Sequence, residues 1–319
     1  MGREIMNRAE QISRRLKLRH LDILLAVMQS GSMGKAAEHL SITQPVVSKA
    51  IADLENMLGV RLLDRVPQGV EPTLYGRALL KRSVAIFNDL RTSVSEIEYL
   101  SDPTAGELRI GATDSFGAGL VPALIDRLAR QYPRLTFDVV QGDAATLQER
   151  DLRGRRIEVA IMRPLMPALF EDLEETVLYK DRLLVVAGPE SPWANRRKIA
   201  LADLVNERWC LPPPDHPVGA LVIDAFRRRK LEPPRRTVTV GSAQWTTNLV
   251  ANGQFLGVHG EVYLRFRATN VPLKVLPVDL QIPLSPVSII ALKNRTLSPV
   301  AQLFIDRAIE IMNPMSKLT

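Results

Sequence analysis

The sequence predicts a multidomain chain: a mainly α N-terminal domain with a winged helix-turn-helix, a long linker helix, and a C-terminal two-lobed α/β domain. Three observations carry this. The run SGSMGKAAEHLSITQPVVSKAIADLE, from Ser30 to Glu55, encodes two short helices joined by a tight turn. Residues 74–100 repeat apolar side chains at helical spacing. From Glu107 onward, strand-like and helix-like runs alternate, the pattern of an α/β sheet. At 319 residues the chain is too long for one ordinary core.

In the N-terminal part, Leu21, Leu24, Leu25 and Met28 mark a helix over 18–29 that packs across the helical pair. The first helix of the pair begins at Met33 behind the N-cap Ser32 and buries Ala36, Ala37 and Leu40. The second begins behind Thr43, with Pro45 in the first turn, where no backbone donor is needed. Its buried stripe is Val47, Ile51, Leu54 and Leu58, which leaves Gln44, Ser48, Lys49 and Asp53 facing outward. Extended stretches at 60–63 and 70–72 flank Pro67, Gln68 and Gly69, the turn chemistry of a small wing with Arg61 and Arg65 on or beside it.

Thr73 caps the long helix, whose Leu79, Ile86, Leu90 and Ile97 share one face that fits either a second copy or the rest of the chain. Ser101 to Gly106 reads as a hinge. The expected domains are an extension at 1–17, the winged helix-turn-helix domain at 18–73, the linker at 74–106 and a two-lobed α/β domain at 107–319. Within the last, lobe I takes about 107–180 and 280–314 and lobe II about 181–279. Strands are expected at 108–112, 136–141, 157–162, 182–187, 209–211, 237–240, 256–259 and 287–292, with helices at 120–131, 145–152, 220–229, 244–252 and 299–312. The first unit reads as a parallel, helix-covered sheet, and a cleft separates the lobes.

Of the net charge of +7, residues 1–82 supply most, with 13 Lys and Arg against 8 Asp and Glu. A basic excess beside a helical pair fits phosphate binding. The single cysteine, Cys210, excludes disulfides within the chain and reads as a buried structural thiol in a reducing compartment. No run has the apolar length of a membrane span and the first residues are too polar for a secretory signal, so a cytoplasmic location is expected. His20, His39, His216 and His259 lack zinc spacing. The glycines at 111, 117 and 119 miss a dinucleotide loop, and no nucleophile elbow is present, so no metal, cofactor or enzymatic role is expected.

On the outward face of the second helix, Gln44 can bond an adenine edge twice, Lys49 can reach guanine or phosphate, and Ser48 adds a hydroxyl. Any solvated helix face also carries such groups. Thr73, by the wing, presents a hydroxyl and an amide to a phosphate or serves only as a cap.

The run LDILLAVMQSGSMGKAAEHLSITQPVVSKAIADLENMLGVRLLDRVPQGVEPTLYGRALL resembles the N-terminal signature of LysR-type transcriptional regulators. It carries the A-A of the first helix of the pair, the Q-P-x-x-S-(R/K)-x-I-x-x-L-E recognition helix, an L-G-x-x-L-(F)-x-R run and a wing ending in x-T-x-x-G. The resemblance implies a C-terminal effector domain like periplasmic binding proteins. It places Gln44, Pro45, Ser48 and Lys49 at the groove, and Arg65 and Thr73 on the DNA backbone; Ser32 and Thr43, at the helix starts, join the candidate DNA contacts. Leu63 stands where the family usually has Phe, and Lys49 where Arg is more frequent, which removes the planar fork of a bidentate guanine contact.

Ligands of open α/β sheets sit beyond the carboxyl ends of strands. Candidate effector contacts are therefore Thr113, Ser115, Gly142, Arg163, Ser242 and Gln244. Asp114, if it points inward, opposes an anion and favours a sugar or an amine. The expected function is a DNA-binding transcriptional regulator controlled by a small molecule held between the lobes. Its partners are promoter DNA and further copies of itself, a dimer through the linker helix and a tetramer by resemblance, with RNA polymerase a further candidate and no membrane. The alternative is a solute-binding protein or small-molecule enzyme on the α/β lobes, with an incidental helical N-terminal domain.

Overall fold

The computed structural model describes residues 12, 14–67, 69–102, 105–164, 171–234, 236–267 and 271–316. The chain divides into two compact units, Met1–Ser93 with Gly154–Arg156, and Val94–Arg153 with Ile157–Thr319. Most of the expected extension at 1–17 lies outside the described residues.

The first unit is built on helices α1 (Leu18–Ser30), α2 (Met33–His39) and α3 (Gln44–Leu58). Helical spacing lets α1 bury Leu21, Ile23, Leu24, Ala26 and Val27, while α3 buries Val47, Ala50, Ile51 and Leu54. From α2 only Ala36 and Ala37 are buried, and their small side chains let the neighbouring helices close over them. Leu40 and Leu58, expected in the core, are only half-buried at helix ends. Each large aliphatic side chain buried here contributes about 1.5–3 kcal/mol. Gly31 and Gly59 end α1 and α3 at φ +70° and +74°, a left-handed turn that glycine adopts without a Cβ clash.

The wing is an antiparallel hairpin of β1 (Leu63–Val66) and β2 (Gly69–Pro72), with Leu63 opposite Pro72. Its first strand begins three residues after the start of the expected 60–63. The reason is Glu55 on α3, whose carboxylate accepts the N–H of Leu62 at 2.7 Å and of Leu63 at 3.2 Å. That tie makes 60–62 a connector to the helix. Gly69 lies so close to α1 that a Cβ there would sit 2.1 Å from the Gly31 carbonyl oxygen. Gln68 lies outside the described residues.

Helix α4 (Leu74–Ser101) runs for 28 residues. Leu79 and Leu80 pack against the first unit's core, whereas Ile86, Leu90, Val94, Ile97 and Leu100 are exposed. Ala105 and Gly106, expected in a hinge, already belong to β3 (Ala105–Ala112), and Pro103 and Thr104 lie outside the described residues.

The second unit holds two five-stranded sheets. In lobe I, β3 pairs in parallel with β4 (Arg134–Gln141) and β5 (Val159–Met162), and β12 (Ser285–Leu292) runs antiparallel between β5 and β6 (Leu173–Asp181). In lobe II the order is β11 (Lys274–Val275), β7 (Leu183–Ala187), β10 (Leu256–Gly260), β8 (Trp209–Leu211) and β9 (Arg236–Thr239). The three strands expected to run parallel, β3, β4 and β5, do so, and β12 and β6 join them antiparallel, so both sheets are mixed. Strand β12 arrives from the other lobe and has no helical crossover to force it parallel.

Helices α5 (Asp114–Gly117) and α6 (Leu120–Gln131) follow β3. The expected helix at 145–152 is a short turn, Ala144–Thr146, continued by the π-type turn Leu147–Leu152. Lobe II carries α7 (Pro217–Arg228) and α8 (Ala243–Ala251), and α9 (Glu261–Phe266) follows β10. The last helix is α10 (Pro299–Ser316). Each lobe has its own core, around Leu108, Leu124 and Phe304 in one and Trp209, Phe226 and Val185 in the other. Val262 and Phe266 of α9 pack into lobe I's core, although they fall within 181–279.

Candidate DNA interface and effector cleft

Burial of Val47, Ala50, Ile51 and Leu54 fixes the rotation of α3, so its opposite face is presented to solvent. Gln44, Pro45, Lys49 and Asp53 are exposed there. Thr43 precedes them as an extended N-cap with no side-chain cap bond, and is exposed. Ser32 Oγ accepts the Lys35 N–H at 3.2 Å, which caps α2 as expected. Ser48 is half-buried instead of fully outward, its hydroxyl donating to Met33 Sδ at 3.3 Å.

Arg65 is exposed on β1, and Arg61 just before it. Thr73 is committed elsewhere. Its hydroxyl donates to the Arg61 carbonyl at 2.8 Å and accepts the Gly76 N–H at 3.0 Å, and its own N–H donates to the Leu62 carbonyl at 2.9 Å. Both donors are thus used inside the protein, which corrects the expectation that they face a phosphate. Thr73 is the cap of α4 and its anchor to the wing. Gly76 serves the same junction, since a Cβ there would lie 2.1 Å from the Leu62 carbonyl oxygen.

In the second unit the strand ends bring Thr113, Asp114 and Ser115 of lobe I toward Ser242 and Ala243 of lobe II. The Asp114 carboxylate accepts the Ala243 N–H at 2.5 Å through one oxygen and the Gln141 side-chain amide at 2.8 Å through the other. Ser242 is the N-cap of α8 but makes no side-chain cap bond, and Ser115 is half-buried. Gln244 donates to Asn248 at 3.2 Å along its own helix. Gly142 donates its N–H to the Ala112 carbonyl at 3.2 Å, and Asp143 beside it accepts the Thr146 N–H at 2.9 Å.

Arg163, expected to meet ligand, pairs through Nη2 with the fully buried Asp181 and lies over the Phe116 ring at 5.2 Å, while its buried Nε has no hydrogen-bond partner among the described residues. Burial pushes the Asp181 carboxyl up, and Arg163 pulls it back. The other Asp181 oxygen accepts the Val262 N–H at 3.1 Å. Gly260 makes room for this pair, because a Cβ there would stand 2.3 Å from Asp181 Oδ2. Arg182 and the Tyr179 hydroxyl both donate to Glu261, at 2.9 and 3.1 Å. This polar knot ties the crossing segments between lobes.

Under α8, Thr247 bridges the His259 ring at 3.1 Å and the Tyr263 hydroxyl at 2.9 Å. Burial, with Arg267 nearby, drives His259 down to about 3, so its ring is neutral. His216 caps α7 by accepting the Val218 N–H at 3.2 Å, which makes the proline-rich loop before it a fixed connector. Cys210 is buried, its thiol pushed up by burial. Among the described residues no cluster of three His, Cys, Asp or Glu could hold a metal, and no helix is long and apolar enough to cross a membrane.

Sequence reasoning does not reach the Asp114 to Ala243 bond or the Arg163 to Asp181 pair. Asp114 is visible in the sequence as a strand-end acid of undecided direction. Asp181 is hidden because nothing in its own run marks a strand.

Two family models match. The bacterial regulatory helix-turn-helix protein, lysR family, covers residues 18–77, and the LysR substrate binding domain covers 101–313. The chain is 29% identical over 291 residues to the HTH-type transcriptional regulator GbpR of Azospirillum brasilense, covering 90% of this chain and 84% of that one. It is 26% identical over 294 residues to TdcA of Escherichia coli K12, covering 92% and 93%. In fold it is similar to full-length CbnR complexed with its target DNA, with a TM-score of 0.68, 23% identity and 92% and 99% coverage. A full-length variant of OxyR from Pseudomonas aeruginosa gives 0.67, 21%, 93% and 94%. The two matched domains together leave no place for an incidental helical N-terminal region, and the chain belongs to the LysR family of bacterial helix-turn-helix transcriptional regulators.

Proposed function

We propose that α3 enters the major groove of promoter DNA, reads bases through Gln44 and sets Lys49 on a phosphate beside them, with Pro45, Thr43 and Ser32 at the groove's edge and Arg65 on the backbone. The observation that carries this is the opposition of faces on α3: four buried apolar residues on one side hold Gln44 and Lys49 exposed on the other. Ser48 contributes less, being turned toward Met33. The similar CbnR is complexed with its target DNA, which supports DNA as the partner here.

Copies of the chain pair along α4, whose Ile86, Leu90 and Val94 are 40%, 46% and 47% exposed. An apolar stripe of this length is costly to leave in water. A tetramer, contact with RNA polymerase and a cytoplasmic site of action complete the proposal. None of these requires an enzymatic step.

The effector is a small molecule held where Thr113, Ser115, Gly142, Ser242 and Gln244 face the space between lobes. Control requires only that it bind one arrangement better than another. A thermal-shift screen of carboxylates, sugars, amino acids and amines, followed by titration of each hit against labelled operator, tests this. A hit that raises the Tm and changes operator occupancy supports effector control. Hits that stabilise the chain and leave operator binding unchanged contradict it.

A further inference from the structure

Helix α8 has nine residues, and its first internal bond runs from the Thr246 N–H to the Ser242 carbonyl. The N–H groups of Ala243, Gln244 and Trp245 therefore have no partner within the helix. Such an end attracts negative charge, and in a ligand cleft it is a natural seat for an acidic ligand. Here the seat is taken. The Asp114 carboxylate from lobe I receives the Ala243 N–H, while Ser242, the residue placed to cap the helix, makes no cap bond.

The carboxylate is held from both sides. Its second oxygen is fixed by Gln141, at the end of the neighbouring strand β4. Both partners are neutral, and among the described residues Asp114 has no ion pair. Arg163, the nearby cation, pairs with Asp181 through Nη2 and keeps a buried Nε without a hydrogen-bond partner among the described residues. A half-buried negative charge thus remains balanced only by an amide, a carboxamide and the helix end.

From this geometry, and resting on the effector-cleft reading above, we propose that Asp114 is a built-in occupant of the cleft. It stands where an effector's acid group would sit and joins the lobes without ligand, so the site takes a neutral or cationic molecule that donates hydrogen bonds to Asp114. An anionic effector would have to displace a carboxylate tethered to its own site. Its local concentration is far above that of a free ligand.

The test uses the full chain and its Asp114→Ala and Asp114→Asn variants, with no DNA or effector, so its failure is separate from failure of the regulator reading. Amide-resolved hydrogen exchange follows Ala243, with Val250 in the same helix as the internal reference. Expected is a slow Ala243 amide in the parent, exchange at least about tenfold faster in Asp114→Ala, an intermediate rate in Asp114→Asn, and Val250 unchanged in all three. Thermal shifts are then read in sodium sulfate against sodium chloride at equal ionic strength. Sulfate is expected to raise the Tm of Asp114→Ala by more than that of the parent, whose smaller rise is the general stabilisation that an excluded salt gives. An Ala243 amide as fast in the parent as in Asp114→Ala overturns the proposal, and so does a sulfate response equal in the two. Should Asp114→Ala not fold, the same comparisons between parent and Asp114→Asn decide.

Discussion

The carboxylate of Glu55 accepts the Leu62 N–H at 2.7 Å, and the same oxygen takes the Leu63 N–H at 3.2 Å. One acid on α3 thereby sets where the wing begins, and with it the placement of Arg65 relative to Gln44 and Lys49. Glu55→Ala leaves two backbone donors without their acceptor and is expected to destabilise the helix and wing by about 2 kcal/mol, while Glu55→Gln keeps an acceptor and loses less. Hydrogen exchange at the Leu62 and Leu63 amides reads the effect. Unchanged protection in Glu55→Ala would show that the tie does not hold the wing.

Lys49 is exposed on the reading face and carries a point charge on a flexible stem. Lys49→Ala is expected to weaken operator binding and to lower the slope of log affinity against log salt by about one, the mark of a lost phosphate contact. Fluorescence anisotropy on a labelled duplex at several salt concentrations measures both. A salt slope equal to the parent's, with reduced selectivity, would make Lys49 a base reader instead.

His259 gives a pH signature in stability. Its folded value of about 3 lies below the ordinary 6.5, so the folded state resists protonation. Its contribution is complete above about pH 6.5 and declines, by about 1.4 kcal/mol per pH unit, as pH falls toward 3. Denaturant titrations at pH 7, 6, 5 and 4 should show a shallower loss in His259→Gln than in the parent, whatever the variant's absolute stability. Parallel curves for the two chains would remove His259 as the source.

Ile86 and Leu90 are 40% and 46% exposed on α4. The double change Ile86→Glu, Leu90→Glu is expected to leave the fold intact and to lower the mass seen by light scattering at micromolar concentration. An unchanged mass would place the self-association surface elsewhere.

Much of the first unit is legible in the sequence because local rules agree. Ser32, Pro45, Gly31 and Gly59 punctuate helices whose apolar spacing fixes their buried faces, so α1 to α3 lie within a residue or two of expectation. Strand β6 is not legible. LEETVLYKD lies at a sheet edge with Glu174, Glu175 and Lys180 turned to solvent, and shows no apolar run. Its absence from the sequence reading also hides Asp181, and so the ion pair of Arg163. Thr73 and Ser48 read as outward donors, but their partners, Arg61 and Met33, are distant in sequence and set by tertiary packing. The same holds for Asp114 and Ala243, 129 residues apart.

Helix α3 is proposed above all as the reader of a specific duplex through Gln44. The most direct measurement is selection of bound duplexes from a random pool by the full chain and by Gln44→Ala, followed by affinities for the winning sequence. The parent should enrich one sequence with two related half-sites, and Gln44→Ala should bind it more weakly by about 1–3 kcal/mol, with relaxed preference at one position of each half-site. Equal affinity and the same preference in both proteins would contradict the assignment of Gln44 as a base reader.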